Sequence, residues 1–198
     1  MAKTGKPYKN SFSGKGVFPP EYAFTLLFPL RNIFLSPQKL IQRLDLKEDH
    51  TILEIGPGPG YFSTYVARKL RKGRLYLLDI QQEMLDIAKK RLDKRKITNV
   101  IYTLTDGISL DLESDFFDRV FMVTVIGEVE NKTGYLKEIY RILKVDGILS
   151  ISELAGDPDK LSMDELQSLV IAHGFTVSAV FGSKRNYTIN FKKMIKIS

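Results

Sequence analysis

Short apolar runs recur at residues 51–55, 74–79, 99–104, 117–124 and 147–153, and stretches of helical spacing at 61–71, 81–95, 131–143 and 162–173 lie between or after them. Short runs of this kind suit strands covered on both faces, and strands alternating with helices predict a mainly parallel sheet with helices on both sides. The end of the chain breaks this rhythm. Residues 175–181 and 186–197 read as two strands joined by Gly182-Ser183-Lys184-Arg185, with Tyr187, Ile189 and Phe191 alternating onto one face. With no helix between them, one of the two must run antiparallel to its partner. Ahead of the first strand, Tyr22, Phe24, Leu26, Leu27, Phe28 and Leu30 form an apolar stripe interrupted by Pro29, and Ser36-Pro37 has the form of an N-cap followed by a first-turn proline. Residues 21–50 therefore predict a helical cap. Residues 1–20, rich in Lys, Gly, Ser and Pro and without periodicity, predict a flexible arm ending at Pro19-Pro20.

Composition narrows the class. A chain of 198 residues suits one domain, here arm 1–20, cap 21–50 and core 51–198, and 43% hydrophobic with 27% charged residues is the balance of a soluble globular protein. With no cysteine there is no disulfide or thiolate chemistry, and a cytoplasmic setting is expected. No apolar run reaches 18 residues, and the N-terminus lacks the pattern of a cleaved leader, so the chain reads as soluble and unprocessed. The net charge of +7 is placed at the ends: Lys3, Lys6, Lys9 and Lys15 at one, Lys184, Arg185, Lys192, Lys193 and Lys196 at the other, with no acid among residues 1–16 or 184–198. Two basic ends suit RNA or anionic lipid as partner, although solubility is the plainer explanation and the one favoured here.

The densest chemical information lies in Ile52-Leu53-Glu54-Ile55-Gly56-Pro57-Gly58-Pro59-Gly60-Tyr61-Phe62, an apolar strand running into three alternate glycines. Such a turn lets the backbone bend sharply and lets a ligand approach main-chain atoms that a Cβ would shield. The helix predicted from Tyr61 then opens its free N–H groups onto the same space. A dinucleotide fingerprint requires Gly-x-Gly-x-x-Gly; here the third glycine comes one position early, and Tyr61 stands where a small residue belongs. A P-loop is excluded because no Gly-Lys-Ser/Thr follows.

Several pieces in order resemble the class I S-adenosylmethionine-dependent methyltransferases. Glu54-Ile55-Gly56-Pro57-Gly58-Pro59-Gly60 matches the family's first motif, and Leu75-Tyr76-Leu77-Leu78-Asp79 is an apolar run ending in an acid 19 residues after Gly60. Thr105-Asp106-Gly107, residues 117–123 and Leu143-Lys144-Val145-Asp146-Gly147 follow in the family's order, so the resemblance covers residues 45–198. It implies a Rossmann-like, doubly wound, mainly parallel seven-stranded sheet with a terminal antiparallel hairpin strand, and S-adenosyl-L-methionine as cofactor. It also implies site residues. Glu54, Gly56, Pro57, Gly58 and Gly60 would form the floor, with Glu54 near the amino end of the methionine moiety; Asp79 would accept from the ribose hydroxyls. Ile80 and Met84 would lie on the adenine side, Asp106 and Gly107 near the adenine amino group, and Val123 and Thr124 at the fourth strand's end. Residues 79–84, Gly127-Glu128-Val129 and residues 136–147 are most similar to the small-molecule branch that contains ubiquinone and menaquinone biosynthesis methyltransferases.

Each assignment has a plainer alternative. Glu54 also suits pairing with a basic core side chain, Asp79 capping of the helix near Gln81, and Asp106-Gly107 an ordinary turn. Glu128 and Glu130 read either as substrate contacts or as a solvated first helical turn. His50 and His173 belong to no catalytic or zinc-binding pattern, and no Gly-x-Ser-x-Gly elbow is present, so neither metal chemistry nor hydrolysis is expected. No residue is assigned as general base: related enzymes place a histidine after the fourth strand where Gly127 stands here. The function expected is methyl transfer by in-line displacement to a small apolar or amphipathic acceptor. The alternatives are an RNA-associated methyltransferase, a regulatory protein holding a nonproductive adenosyl pocket and, with less support, an NAD-dependent oxidoreductase.

Overall fold

The computed structural model describes residues 35–107 and 110–193. The arm at 1–20 and the stripe at 22–30 lie outside these residues. Ser36 caps α1 (Pro37–Arg43), accepting from Lys39 N–H at 3.3 Å, and Pro37 occupies the first turn, where a missing N–H breaks no helical hydrogen bond. The elements that follow are β1 (Thr51–Ile55), α2 (Tyr61–Lys69), β2 (Arg74–Asp79), α3 (Gln82–Asp93), β3 (Val100–Leu104), β4 (Phe117–Val123), α4 (Lys132–Ile142), β5 (Leu143–Glu153), α5 (Met163–Ile171), β6 (Phe175–Ser183) and β7 (Asn186–Lys193). Two later helices start on the side chains their sequence offers: Asn131 accepts from Gly134 N–H at 3.0 Å, and Ser162 forms a capping box with Glu165.

The seven strands form one sheet in the order β3-β2-β1-β4-β5-β7-β6. The first five are mutually parallel, and β7 runs antiparallel to both β5 and β6. The order reverses between β1 and β4, which leaves a crevice above the carboxyl ends of these strands, the usual ligand position in such sheets. Side-chain alternation builds one core layer on each face. Leu53 and Ile55 of β1 join the layer under α4 and α5 with Val120, Met122, Phe175 and Phe191, while Ile52 joins Phe121, Leu75 and Leu77 under α1, α2 and α3. Fully covered rings such as Phe117, Phe121, Phe175 and Phe191 each contribute roughly 1.5–3 kcal/mol through burial.

Polar contacts hold α1 onto the sheet. Arg43 Nη1 donates to Thr188 Oγ1 at 2.6 Å, Asn190 Nδ2 donates to Arg43 O at 2.6 Å, and Ser152 Oγ lies 2.7 Å from Thr188 Oγ1. From β4, buried Arg119 donates through Nε to Leu44 O at 2.7 Å and through Nη2 to Asp45 O at 3.2 Å.

The 143–147 segment, which falls between the predicted helix 131–143 and the predicted strand 147–153, is already part of the sheet. β5 begins directly after α4, with Leu143 already opposite Phe117; pairing resumes at Arg119 opposite Ile148, so the intervening residues form a wide bulge. Asp146 takes a left-handed conformation there (φ 64°), and Lys144 Nζ ties the bulge to Asp118 Oδ1 at 2.8 Å.

Candidate functional site

The three glycines at the end of β1 all adopt positive φ, 63° at Gly56, 52° at Gly58 and 75° at Gly60. Their close neighbours explain the spacing. A Cβ on Gly56 would stand 2.5 Å from Val125 Cγ2 in the loop after β4, and one on Gly60 would stand 3.0 Å from Leu92 Cδ1 and 3.1 Å from Ala88 Cβ of α3. The turn is thus wedged between the β4 loop and α3, with Pro57 and Pro59 buried, and Gly56 N–H donates to Leu78 O of β2 at 2.9 Å. Gly60 is also the left-handed N-cap of α2, which starts with neither a side-chain cap nor an acid in its first turn.

Glu54 lies one residue before Ile55, on the α1–α3 side of the sheet, and is 3% exposed. Burial pushes its carboxyl up to about 8; the Ser63 hydroxyl of α2 draws it down and the nearby Asp79 charge raises it further. Glu54 Oε2 and Ser63 Oγ nevertheless have no hydrogen-bond partner of good geometry, and the basic core partner that the plainer reading requires is absent among the described residues. Ionising a buried carboxyl without a basic partner is costly, which is why its proton is held so tightly.

Asp79 ends β2 at 9% exposure. Burial raises its carboxyl to about 6, against the N–H groups of Gln81, Ile80 and Gly58, which favour the charge. Its Oδ1 accepts from Gln81 N–H at 3.0 Å, so the helix-start reading holds in part: Asp79 shapes the turn into α3 although Gln81, not Asp79, is the N-cap. Through Gly58 the same carboxylate is tied to the glycine turn.

Thr105 N–H donates to Asp79 O at 3.0 Å and brings the 105–107 turn alongside. Gly107 (φ 76°) packs so close that a Cβ would stand 3.2 Å from Ile80 Cγ2, while Ile80 itself is 36% exposed at the rim and Asp106 is exposed beside it. Met84, by contrast, is buried on α3. At the end of β4, Val123 is half-buried and Thr124 holds φ 55°, an unfavourable value for a β-branched residue, stabilised by Thr124 N–H to Ser152 O at 2.8 Å and Thr124 Oγ1 to Val123 O at 2.7 Å.

Two acids change standing in the structure. Glu128 is not in a solvated first helical turn: α4 begins at Lys132, and Glu128 is half-buried in the preceding loop, where burial and the charges of Asp157, Asp159 and Asp79 raise its carboxyl to about 7. Glu130 is exposed. Glu153, which sequence reasoning passed over, ends β5 with no exposed surface and with both carboxylate oxygens lacking a partner; burial first, then Asp157 and Glu128, raise it to about 8 against the pull of Lys160. The signal that marked Asp79, an acid closing an apolar strand, also marks Glu153.

The histidines serve structure. His50 Nδ1 accepts from Lys47 N–H at 3.4 Å, and His173 Nδ1 lies 2.7 Å from Leu169 O. Among the described residues no group of acids and histidines is arranged to hold a metal ion, and no helix is long and apolar enough to cross a membrane. Of the basic C-terminal residues, Lys193 is engaged internally by Asp115 Oδ1 at 2.6 Å and Leu143 O at 2.8 Å, whereas Lys184 and Arg185 are exposed at the β6–β7 turn.

A glycine turn and buried acids at the carboxyl ends of parallel strands are the features of an α/β protein with a nucleotide-type site. The family model described as "Methyltransferase domain" matches residues 53–151, half of the chain, and the chain belongs to the class I S-adenosylmethionine-dependent methyltransferases. Ubiquinone/menaquinone biosynthesis C-methyltransferase of Hydrogenovibrio crunogenus is 32% identical over 117 residues, 58% of this chain and 46% of that protein. Phosphoethanolamine N-methyltransferase 2 of Caenorhabditis elegans is 29% identical over 145 residues, 73% of this chain and 33% of that protein. The chain thus spans about half or less of the length of these curated relatives. A SAM-dependent methyltransferase from Aquifex aeolicus superposes with a TM-score of 0.83 at 23% identity, covering 88% of this chain and 98% of that one, which establishes the shared fold.

S-adenosyl-L-methionine is the cofactor that goes with this family. The residues present suit it: Gly58 in the glycine turn is only partly buried, and the unpartnered Glu54 Oε2 suits a positive group such as an α-ammonium.

Proposed function

We propose that the protein transfers a methyl group from S-adenosylmethionine to a small apolar or amphipathic acceptor bound above β4 and β5. The observation that carries this reading is the unpartnered, buried Glu54 carboxylate at the lip of the glycine turn, with Asp79 tied to the same turn through Gly58. When bound, the cofactor supplies a methyl group on a positively charged sulfur that leaves as a neutral thioether, so the protein need not stabilise a charged leaving group. The chain's own work is placement. Glu54 orients the amino end of the methionine moiety, Asp79 accepts from the ribose hydroxyls, Ile80 and Gly107 flank the adenine with Asp106 near its amino group, and Val123 and Thr124 face the sulfur side. Such alignment of two reactants is worth about 7–11 kcal/mol in favourable systems.

The acceptor atom is not given by the relatives' names, since the two proteins above are a C- and an N-methyltransferase. Calorimetry with S-adenosylmethionine, S-adenosylhomocysteine and NAD tests the cofactor assignment: both adenosyl ligands are expected to bind and NAD is not. NAD binding without adenosyl-ligand binding would leave the oxidoreductase reading in its place, and adenosyl binding with no methylated product from any acceptor class would leave the regulatory one.

A further inference from the structure

The loop after β4 bridges two parts of the molecule. Val125 presses on Gly56 of the glycine turn, and Gly127 packs against the backbone of Asp159 so closely that a Cβ there would collide with Asp159 O. Lys132 Nζ holds this loop from inside through Gly127 O at 2.9 Å and Val129 O at 2.7 Å. Glu128 therefore sits between the cofactor floor and the 155–160 loop, beside Asp157 and Asp159. Glu153 approaches the same space from the end of β5, one position beyond Ser152, which pairs with Val123.

The charge balance of this space is uneven. Glu153 has no exposed surface and neither of its oxygens has a hydrogen-bond partner. Among the described residues no ion pair reaches Glu128 or Glu153. Lys160 is the cation whose charge reaches Glu153, but its Nζ donates to Lys184 O at 2.7 Å and Arg185 O at 2.8 Å and lies over the Tyr187 ring. Tyr187, paired with Glu153 across β5 and β7, turns its hydroxyl to Leu161 O at 2.6 Å and so donates nothing to the carboxylate. Glu153 is thus a fully buried carboxyl beside two further acids, Asp157 and Glu128, with no ion-pair partner among the described residues, and its charged form would gain from a cation.

We propose that Glu128 and Glu153 form the acceptor subsite for an ammonium group, so that the acceptor is a small amine. This rests on the cofactor reading above, because the subsite abuts the glycine turn only through the β4 loop. Glu128, the more accessible of the two, receives the proton that an ammonium must release before its nitrogen lone pair is free to act as nucleophile; Glu153 behind it supplies the charge that draws the ammonium in. Burial and the neighbouring acids favour the protonated form of both carboxyls, and entry of an ammonium drives protons off them. Asp79, Asp157, Asp159, Lys160 and Tyr187 face the same pair and set its baseline.

The test is carbon NMR of the side-chain carboxyls of the full chain against pH, with S-adenosylhomocysteine present and the two signals assigned through Glu128→Gln and Glu153→Gln. The probes are ethylammonium chloride at about 0.1 M, ethanol, and sodium chloride at matched ionic strength. Ethylammonium is expected to move both midpoints to at least tenfold higher proton concentration than sodium chloride does, while ethanol moves neither. Absence of a response to ethylammonium, an equal response to sodium, or an equal response to ethanol each overturns the proposal. Calorimetry of S-adenosylhomocysteine on the same sample separates the two readings: adenosyl binding without an ammonium response defeats only the amine subsite, and no adenosyl binding defeats the cofactor reading beneath it.

Discussion

Replacing Glu54 with glutamine removes a titration that makes ligand-free folding pH-dependent. In the folded protein the Glu54 carboxyl is raised from 4.5 to about 8, chiefly by burial. Between those values the folded state binds a proton that the unfolded chain has lost, so the stability contributed by the neutral acid is complete below pH 4.5 and falls as pH rises through 8. At 1.36 kcal/mol per tenfold, the gap from 4.5 to about 8 corresponds to about 5 kcal/mol as a ceiling, since water entering the crevice relieves part of it. That is a large share of the roughly 5–15 kcal/mol typical of a folded domain. Urea denaturation of wild type and Glu54→Gln at pH 5 and pH 9, without ligand, isolates the contribution, because Asp79, Glu128 and Glu153 are common to both. Wild type is expected to lose several kcal/mol more than the variant between the two pH values. Parallel losses would mean that Glu54 ionises freely in the folded state and that its burial costs nothing. Saturation with S-adenosylhomocysteine should narrow the difference by bringing an ammonium to the carboxylate.

Three further perturbations probe the frame around the site. Asp79→Asn should weaken S-adenosylhomocysteine binding at least tenfold by calorimetry, as expected for hydrogen bonds to a charged acceptor worth about 1.5–3 kcal/mol; unchanged affinity removes the ribose assignment. Gly56→Ala should lower stability by about 2–4 kcal/mol, from the left-handed φ of 63° and the 2.5 Å approach to Val125 Cγ2. Adding Val125→Ala should restore only the clash portion, as read by thermal melting. Arg119→Met should cost about 2–4 kcal/mol by leaving Leu44 O and Asp45 O without their donor, and amide exchange should speed up in α1 before the rest of the sheet.

The local chemistry of this protein was legible in its residues. The glycine turn, the strand-ending Asp79, the cap at Ser36-Pro37 and the antiparallel terminal hairpin all follow from patterns a few residues long, because backbone dihedrals, caps and alternation are decided by near neighbours. Residues 143–147 misled for the same reason: Leu-Lys-Val-Asp-Gly has the makings of a turn, but pairing with Phe117 and Arg119 of β4 draws its flanks into a strand and leaves the rest as a bulge. Burial is the quantity that the sequence does not carry. Glu54, Glu128 and Glu153 look like other acids in the chain; their carboxyls are raised first by burial in the assembled fold and then by acids that folding brings near, Asp79 for Glu54, Asp157 and Asp159 for Glu128, and Asp157 and Glu128 for Glu153. Short-range pattern was therefore enough to read the sheet, its glycine turn and the family. Tertiary structure alone decided which carboxylates lose water without gaining a cation, because desolvation and missing countercharge are properties of the assembled space and of no single segment.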